Sequence, residues 1–381
     1  MAFLRNRAVN WINLHSGIHA LAQGLGAMFV LVFLLRSGVA VPMALCAMAL
    51  IFATRFVVRP AILLAATRVG LKPLSISGTL LSALQYPLLA LVQGVDGTLV
   101  AYCLFSALGE AIYWTSHHAY MSLLGDTEHR GQQISAGFAL ATLAGIVAPL
   151  VGAWMLLHAG PRLAFGAAAA VQALAALPLL ALPNFRIAPS AAGAFRASLP
   201  GVALFLSDGW MGVSLAFVWP IALFLSLDSS LSAYGGAVAL AAVVGAGSGL
   251  LLGRHIDAGH GRRAVALAYG LISTTLILRS LSVETAWLAV TAHALGALGG
   301  AVLGPTQMTP VYNLAKLSPC ALRFHIAAEG GWDLGCCCGC LVAASLLALG
   351  APLSAVMLLG FAGIAGQVFL LRRYYRRLHA W

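Results

Sequence analysis

Twelve apolar stretches, each near the length of a membrane-spanning helix, follow one another along the 381 residues with short links between them. They are 9–35, 40–66, 73–94, 98–123, 133–158, 162–183, 200–227, 231–253, 263–282, 285–314, 322–349 and 351–372. A helix that crosses the hydrocarbon core needs about 20 mainly apolar residues. The chain is 61% hydrophobic and 8% charged, against roughly 25% charged in a soluble domain. That much apolar surface cannot be buried inside a soluble fold of this length, so lipid is its solvent. The 41 glycines agree, because glycine lets transmembrane helices approach closely. The sequence therefore predicts an all-α membrane protein with twelve transmembrane helices.

The net charge of +11 does not read as a nucleic-acid footprint. The basic residues sit in short links between apolar spans. Arg55 and Arg59 lie inside the second span, and Arg36, Arg162 and Arg279 fall on one side of the membrane. The other sixteen of the 21 fall on the opposite side, which the positive-inside rule makes cytoplasmic. Both termini are expected there, and the compact loops suggest a bacterial inner membrane. Arg5 and Arg7 precede a first span too long for a cleavable signal, with no small-residue cleavage site. Cys336, Cys337, Cys338 and Cys340 crowd one span, where such close neighbours cannot easily bridge one another. They read as small packing residues.

The longest polar link, Asn184 to Leu199, divides the spans six and six. The expected organisation is a six-helix bundle over 1–184, a cytoplasmic linker over 185–199 and a second six-helix bundle over 200–381. A weak repeat supports pseudo-symmetry between the bundles. Ala107-Leu-Gly-Glu-Ala-Ile-Tyr-Trp114 in the fourth span matches Ala297-Leu-Gly-Gly-Ala-Val-Leu-Gly304 in the tenth. Parallel six-helix repeats characterise one large class of transporters.

Between the eighth and ninth spans lies Gly253-Arg-His-Ile-Asp257-Ala-Gly-His-Gly261-Arg262-Arg263. Gly253 allows close helix approach, Asp257 can cap and pair at a helix end, and Arg262 and Arg263 can anchor the cytoplasmic face. This segment resembles the second copy of the loop motif of the major facilitator superfamily. In the first-half copy Arg68, Gly70 and Lys72 match, but Thr67 replaces the expected acid and Leu63 the first glycine. The resemblance then implies no acid-based latch in the first half. Ala148-Pro149-Leu-Val-Gly152-Ala153 is similar to the Gly-Pro motif of the superfamily's antiporters, and leans towards export.

Ionisable groups inside a membrane are costly, and each is a functional candidate. Glu110 falls near mid-membrane, with Tyr113, Trp114 and His117 on the same helix face at i+3, i+4 and i+7. The first span supplies His15, His19 and Gln23. The seventh supplies Asp208 with Trp210, and the tenth supplies Gln307 beside Gly304-Pro305, where a local break is expected. The resemblance implies a cavity lined by spans 1, 4, 7 and 10. Arg55 and Arg59 face Glu329 and Asp333 across spans 2 and 11, which the superfamily packs together. Depth pairs Arg59 with Glu329 and Arg55 with Asp333, as a salt-bridge ladder that closes the cytoplasmic side.

The resemblance implies a secondary transporter rather than an enzyme, with no cofactor. The expected partners are membrane lipid, a small-molecule or ion substrate and a coupling proton, and a monomer is expected. Aromatic rings beside acids favour a cationic organic solute. A carboxyl within the membrane can carry the proton, with Glu110 first and Asp208 second. One alternative is a transition-metal carrier, with His15 and His19 as ligands at i, i+4 and Glu110, His117 and Asp208 completing the shell. Another is a lipid translocator. No phosphate-binding glycine loop is present, so ATP is not the energy source.

Overall fold

The computed structural model describes residues 6–125, 130–256 and 261–378. Helical segments occupy every expected stretch. We number them α1 (Arg7–Arg36), α2 (Val41–Val69), α3 (Leu71–Leu89), α4 (Gly97–Leu124), α5 (Arg130–His158) and α6 (Pro161–Leu179). The second half comprises α7 (Ala194–Ser226), α8 (Leu231–Ile256), α9 (Gly261–Ser282), α10 (Ala286–Leu317), α11 (Ala321–Ala348) and α12 (Leu353–Arg376). Among the described residues nine helices are long and apolar enough to cross a membrane by length and composition; α3, α4 and α8 are not counted with them. For α4 the polar residues Ser106, Glu110, Thr115, Ser116, His117 and His118 lie through its middle. Backbone groups in lipid must be paired within their own segment, and helices achieve this.

The packing repeats. In the first half α1 lies against α5 and α6, α3 against α4 and α6, and α2 against α4. In the second half α7 lies against α11 and α12, α9 against α10 and α12, and α8 against α10. Adding six to each number converts one set into the other. The main contacts between halves are α2 with α11 and α5 with α8, a pair that the same shift exchanges. The sequence repeat has a matching physical use. Gly109 packs on the α3 backbone at Ser82, and Gly299 packs on α9 at Ile272.

Glycines set the closest approaches. Gly331, Gly335 and Gly339 form one stripe of α11 against α7, where Gly209 returns the contact. An added Cβ at Gly24 would sit 2.6 Å from that of Ala148, and one at Gly152 would sit 2.6 Å from the Leu25 carbonyl. Gly235 of α8 meets the Pro149 carbonyl. The Gly-Pro-like segment of α5 is therefore where α1, α5 and α8 converge.

Several local features differ from the linear reading. The link between halves is shorter than its polarity suggests, because α7 begins at Ala194 after Gly193 turns the chain at φ 77°. α7 contains a π-helical turn over Val213–Val218, and α1 contains a 3-10 turn over Ala27–Phe29. The break expected at Gly304-Pro305 does not occur; α10 runs through Pro305 and Pro310. The Thr306 carbonyl, which Pro310 leaves without its helical donor, accepts from Tyr375 Oη at 3.5 Å.

Candidate functional site

A cavity of about 610 Å³ lies between the halves, within the range of sites for small organic molecules. α1 contributes Asn13, Ser16, His19 and Gln23, and α2 contributes Phe52 and Arg55. α4 contributes most of the chemistry: Tyr102, Ser106, Glu110, Tyr113, Trp114, His117 and His118. The second half closes it with Phe217, Pro220, Tyr234, Met308 and Tyr312.

Glu110 is held by neutral donors. Trp114 Nε1 donates to Oε2 at 2.7 Å, and Gln85 Nε2 donates to Oε1 at 3.1 Å. Ser106 Oγ fixes Gln85 in turn at 2.8 Å. No basic side chain among the described residues forms an ion pair with Glu110. Tyr113 stacks between His19 and His117, with centroids 4.1 and 5.9 Å away.

Behind Arg55 the two halves meet through a buried ion cluster. Arg55 Nη2 donates to Glu329 Oε2 at 3.2 Å, and Arg55 Nε lies 2.8 Å from Asp333 Oδ1 as an ion pair without hydrogen-bond alignment. Arg59 reaches Asp333 Oδ2 at 2.5 Å and Glu329 Oε2 at 3.5 Å, and donates to Thr115 Oγ1 at 2.8 Å. Each arginine thus contacts both acids, in one cluster rather than two separate rungs. His118 of α4 completes it. Its Nε2 donates to Glu329 Oε1 at 3.2 Å, and its Nδ1 is 2.7 Å from Tyr312 Oη. His325 stacks on His118 at 5.6 Å and bonds Ser122 Oγ at 2.7 Å.

Of the other residues singled out from sequence, His19 and Gln23 line the cavity, while His15, Asp208, Trp210 and Gln307 do not. His15 sits behind the cavity wall and donates from Nδ1 to the Ala175 carbonyl at 2.7 Å. His19 donates from Nδ1 to Gln172 Oε1 at 2.8 Å, and its Nε2 accepts from Gln23 at 3.2 Å. The two rings stack at 6.4 Å and do not converge on a point. Asp208 is set against Gln307, and neither lines the cavity. Trp210 packs inside the second half and donates to the Leu359 carbonyl at 2.9 Å. Among the described residues no three His, Cys, Asp or Glu side chains form a metal-binding group. Cys336 donates to the Gly209 carbonyl at 3.3 Å across the α7–α11 contact.

No family model and no curated protein matches the sequence. Solved structures do. The human organic anion transporter MFSD10 (TETRAN) superposes with a TM-score of 0.71 at 18% identity, covering 96% of this chain and 99% of its own. The major facilitator transporter FucP, in the outward conformation, superposes at 0.67 with 11% identity, covering 96% and 98%. The chain has the major facilitator superfamily fold. Within that fold, Gly253 lies in α8, while Gly261, Arg262 and Arg263 open α9, with both arginines exposed. Asp257 lies outside the described residues. The first-half copy of the loop is fastened by a neutral residue. Asn184 Oδ1 accepts from the Lys72 backbone at 3.1 Å, Asn184 Nδ2 donates to the Val69 carbonyl at 3.2 Å, and Lys72 Nζ donates to the Leu180 carbonyl at 2.5 Å. Gly70, at φ 86°, leaves the space that the Asn184 side chain fills.

The major facilitator arrangement also shows what the sequence reading missed. His118, Gln85 and Tyr312 all belong to the site or its cluster. His118 follows His117 directly, so it points about 100° further round α4. Only knowing that α4 faces α11 as well as the cavity would have singled it out.

Proposed function

We propose that this chain is a secondary transporter that moves a small organic solute, with a cation favoured, in exchange with a proton. One observation carries the reading. Glu110 lies in an aromatic cavity between the halves, held by Trp114 and Gln85 and in no ion pair among the described residues. Arg55 also reaches the cavity, but Glu329 and Asp333 neutralise it from behind. The uncompensated charge facing a solute is therefore negative. Aromatic faces such as Trp114 and Tyr113 attract a cation by roughly 0.5–2 kcal/mol each. MFSD10 is named for organic anions, the opposite charge; the pairing of Arg55 supports the cation.

Solute and proton compete for Glu110, which couples their movements. The halves, 1–184 and 200–381, rock about the α2–α11 and α5–α8 contacts, and the ion cluster closes one side. His118 connects the cavity to that cluster. In its neutral form Nε2–H donates to Glu329 while Nδ1 accepts from Tyr312; when protonated it donates to both. It holds its partners in either state, as a proton relay requires. The excess of basic residues on one side supports cytoplasmic termini, and the short loops support a bacterial inner membrane. A monomer suffices, since both halves of the cavity come from one chain. The metal alternative has less support, because His15 and His19 are tied to Ala175, Gln172 and Gln23.

The test is proton-gradient-driven flux of organic cations in proteoliposomes, with thermal stabilisation of the purified protein as the binding readout. Glu110→Gln should abolish pH-dependent flux and weaken cation binding. Full proton coupling in Glu110→Gln would rule the assignment out, and stabilisation by organic anions alone would reverse the charge of the substrate.

A further inference from the structure

Four arginines are buried among the described residues: Arg55, Arg59, Arg279 and Arg323. Three have acceptors. Arg55 and Arg59 share Glu329 and Asp333, and Arg323 donates to the Ala188 and Pro189 carbonyls at 2.9 and 2.6 Å. Arg279, near the end of α9, has no carboxylate and no hydrogen-bond acceptor among the described residues, and its Nε is fully enclosed. A guanidinium stays charged in proteins, and a buried charge without a partner is strongly disfavoured.

Its surroundings are specific. The guanidinium lies over the Trp219 ring, 4.8 Å from the centroid. Its Nη2 rests on Gly296 of α10, where a Cβ would collide with it. Trp219 Nε1 donates to His293 Nδ1 at 2.9 Å. Indole N–H is a donor only, so His293 Nδ1 must be the acceptor. In neutral histidine the proton then resides on Nε2, and Nε2 is buried without a partner among the described residues. His293 lies three residues before Gly296 and so on the same face of α10. Two enclosed donors, Arg279 Nε–H and His293 Nε2–H, therefore sit in one cluster with a positive charge and no acceptor among the described residues. Trp219 follows directly on the π-helical turn of α7, and such turns are frequent at functional sites.

We infer that Arg279, His293 and Trp219 form a binding site for a small monovalent anion of chloride size, between α7, α9 and α10 and separate from the main cavity. Enclosure favours a small ion. Trp219 covers one face of the guanidinium, so the ion binds at its Nε edge and takes a second hydrogen bond from His293. The bound ion ties α9 to α7 and α10 beside the π-helical turn.

The test uses the full chain purified in detergent. Its melting temperature is measured in sodium chloride, bromide or nitrate against sodium gluconate at equal ionic strength. A saturable rise in chloride is expected, absent in Arg279→Gln. His293→Phe should weaken the apparent affinity by roughly tenfold or more, the effect of one hydrogen bond to a charged group. Equal melting in chloride and gluconate would overturn the inference, as would an undiminished chloride effect in Arg279→Gln. Stabilisation by phosphatidylglycerol in nanodiscs, lost in Arg279→Gln and not reproduced by chloride, would overturn it in favour of a lipid phosphate. If Arg279→Gln does not fold, iodide quenching of Trp219 emission decides, read as the wild type minus Trp219→Phe. Saturable quenching supports the site, and purely collisional quenching overturns it.

Discussion

His118 Nε2 lies 3.2 Å from Glu329 Oε1, and this contact joins α4 of the first half to α11 of the second. The same imidazole meets Tyr312 of α10 at 2.7 Å. One side chain thus touches the cavity and two helices of the opposite half.

If His118 relays a proton to the ion cluster, His118→Gln should flatten the pH dependence of flux. Glutamine keeps a donor for Glu329 but cannot take up a proton. Flux is measured at a series of pH values with the gradient held constant. An unchanged profile would remove His118 from the relay.

Arg59 and Asp333 are both buried, and Arg59 donates to Oδ2 from Nε at 2.5 Å. Removing one partner of a buried pair typically costs about 3–5 kcal/mol. Asp333→Asn should therefore destabilise the protein strongly and loosen the α2–α11 contact, with more solvent exchange in α11. Because each arginine contacts both acids, a single swap such as Arg55→Asp with Asp333→Arg should restore only part of the stability. Full rescue by that swap would show an independent rung instead of a shared cluster. Hydrogen exchange and thermal unfolding report both outcomes.

The glycine stripe of α11 makes a steric prediction. A Cβ at Gly335 would press on the Leu206 carbonyl and lie 2.9 Å from Trp210 N. Gly335→Ala should cost about 1–3 kcal/mol, as overpacking does elsewhere. Gly236 faces open space, and Gly236→Ala should stay within about 0.5 kcal/mol of the wild type. Melting temperatures of the two variants compare them directly.

Asp96, outside the spans, caps α4: its carboxylate accepts from Thr98 Oγ1 at 2.5 Å and from Leu99 N at 2.9 Å. The Thr98 hydroxyl, followed by the Leu99 N–H, holds its carboxyl below the usual range. With the folded value depressed, the cap's contribution is present above the ordinary carboxylate range and is lost as pH falls through the folded value. Asp96→Asn can still cap but loses this dependence. The melting difference between wild type and Asp96→Asn, followed from neutral to acid pH, should shrink as the acid protonates.

The membrane class, the order of the helices and the main candidate carboxylate were readable from sequence. Apolar length and the sparseness of charge are local properties that survive without knowledge of any neighbour. Glu110 was readable because an acid inside an apolar helix is rare. Its uniqueness is visible too: the aligned residue of the second half is Gly300, so the pseudo-symmetry is broken at this carboxylate.

Tertiary structure alone decided which polar residues meet. His117 and Asp208 look alike in sequence, as ionisable groups in membrane helices, yet His117 faces the cavity and Asp208 packs against Gln307. Depth along the membrane can be counted from residue number, but the rotation of each helix about its axis is set by packing. Depth therefore brought Arg55, Arg59, Glu329 and Asp333 to one level, while rotation merged them into one cluster and added His118. The same reason hid Arg279. A lone arginine near a helix end reads as an interfacial anchor, and only its burial over Trp219, without an acceptor among the described residues, distinguishes it.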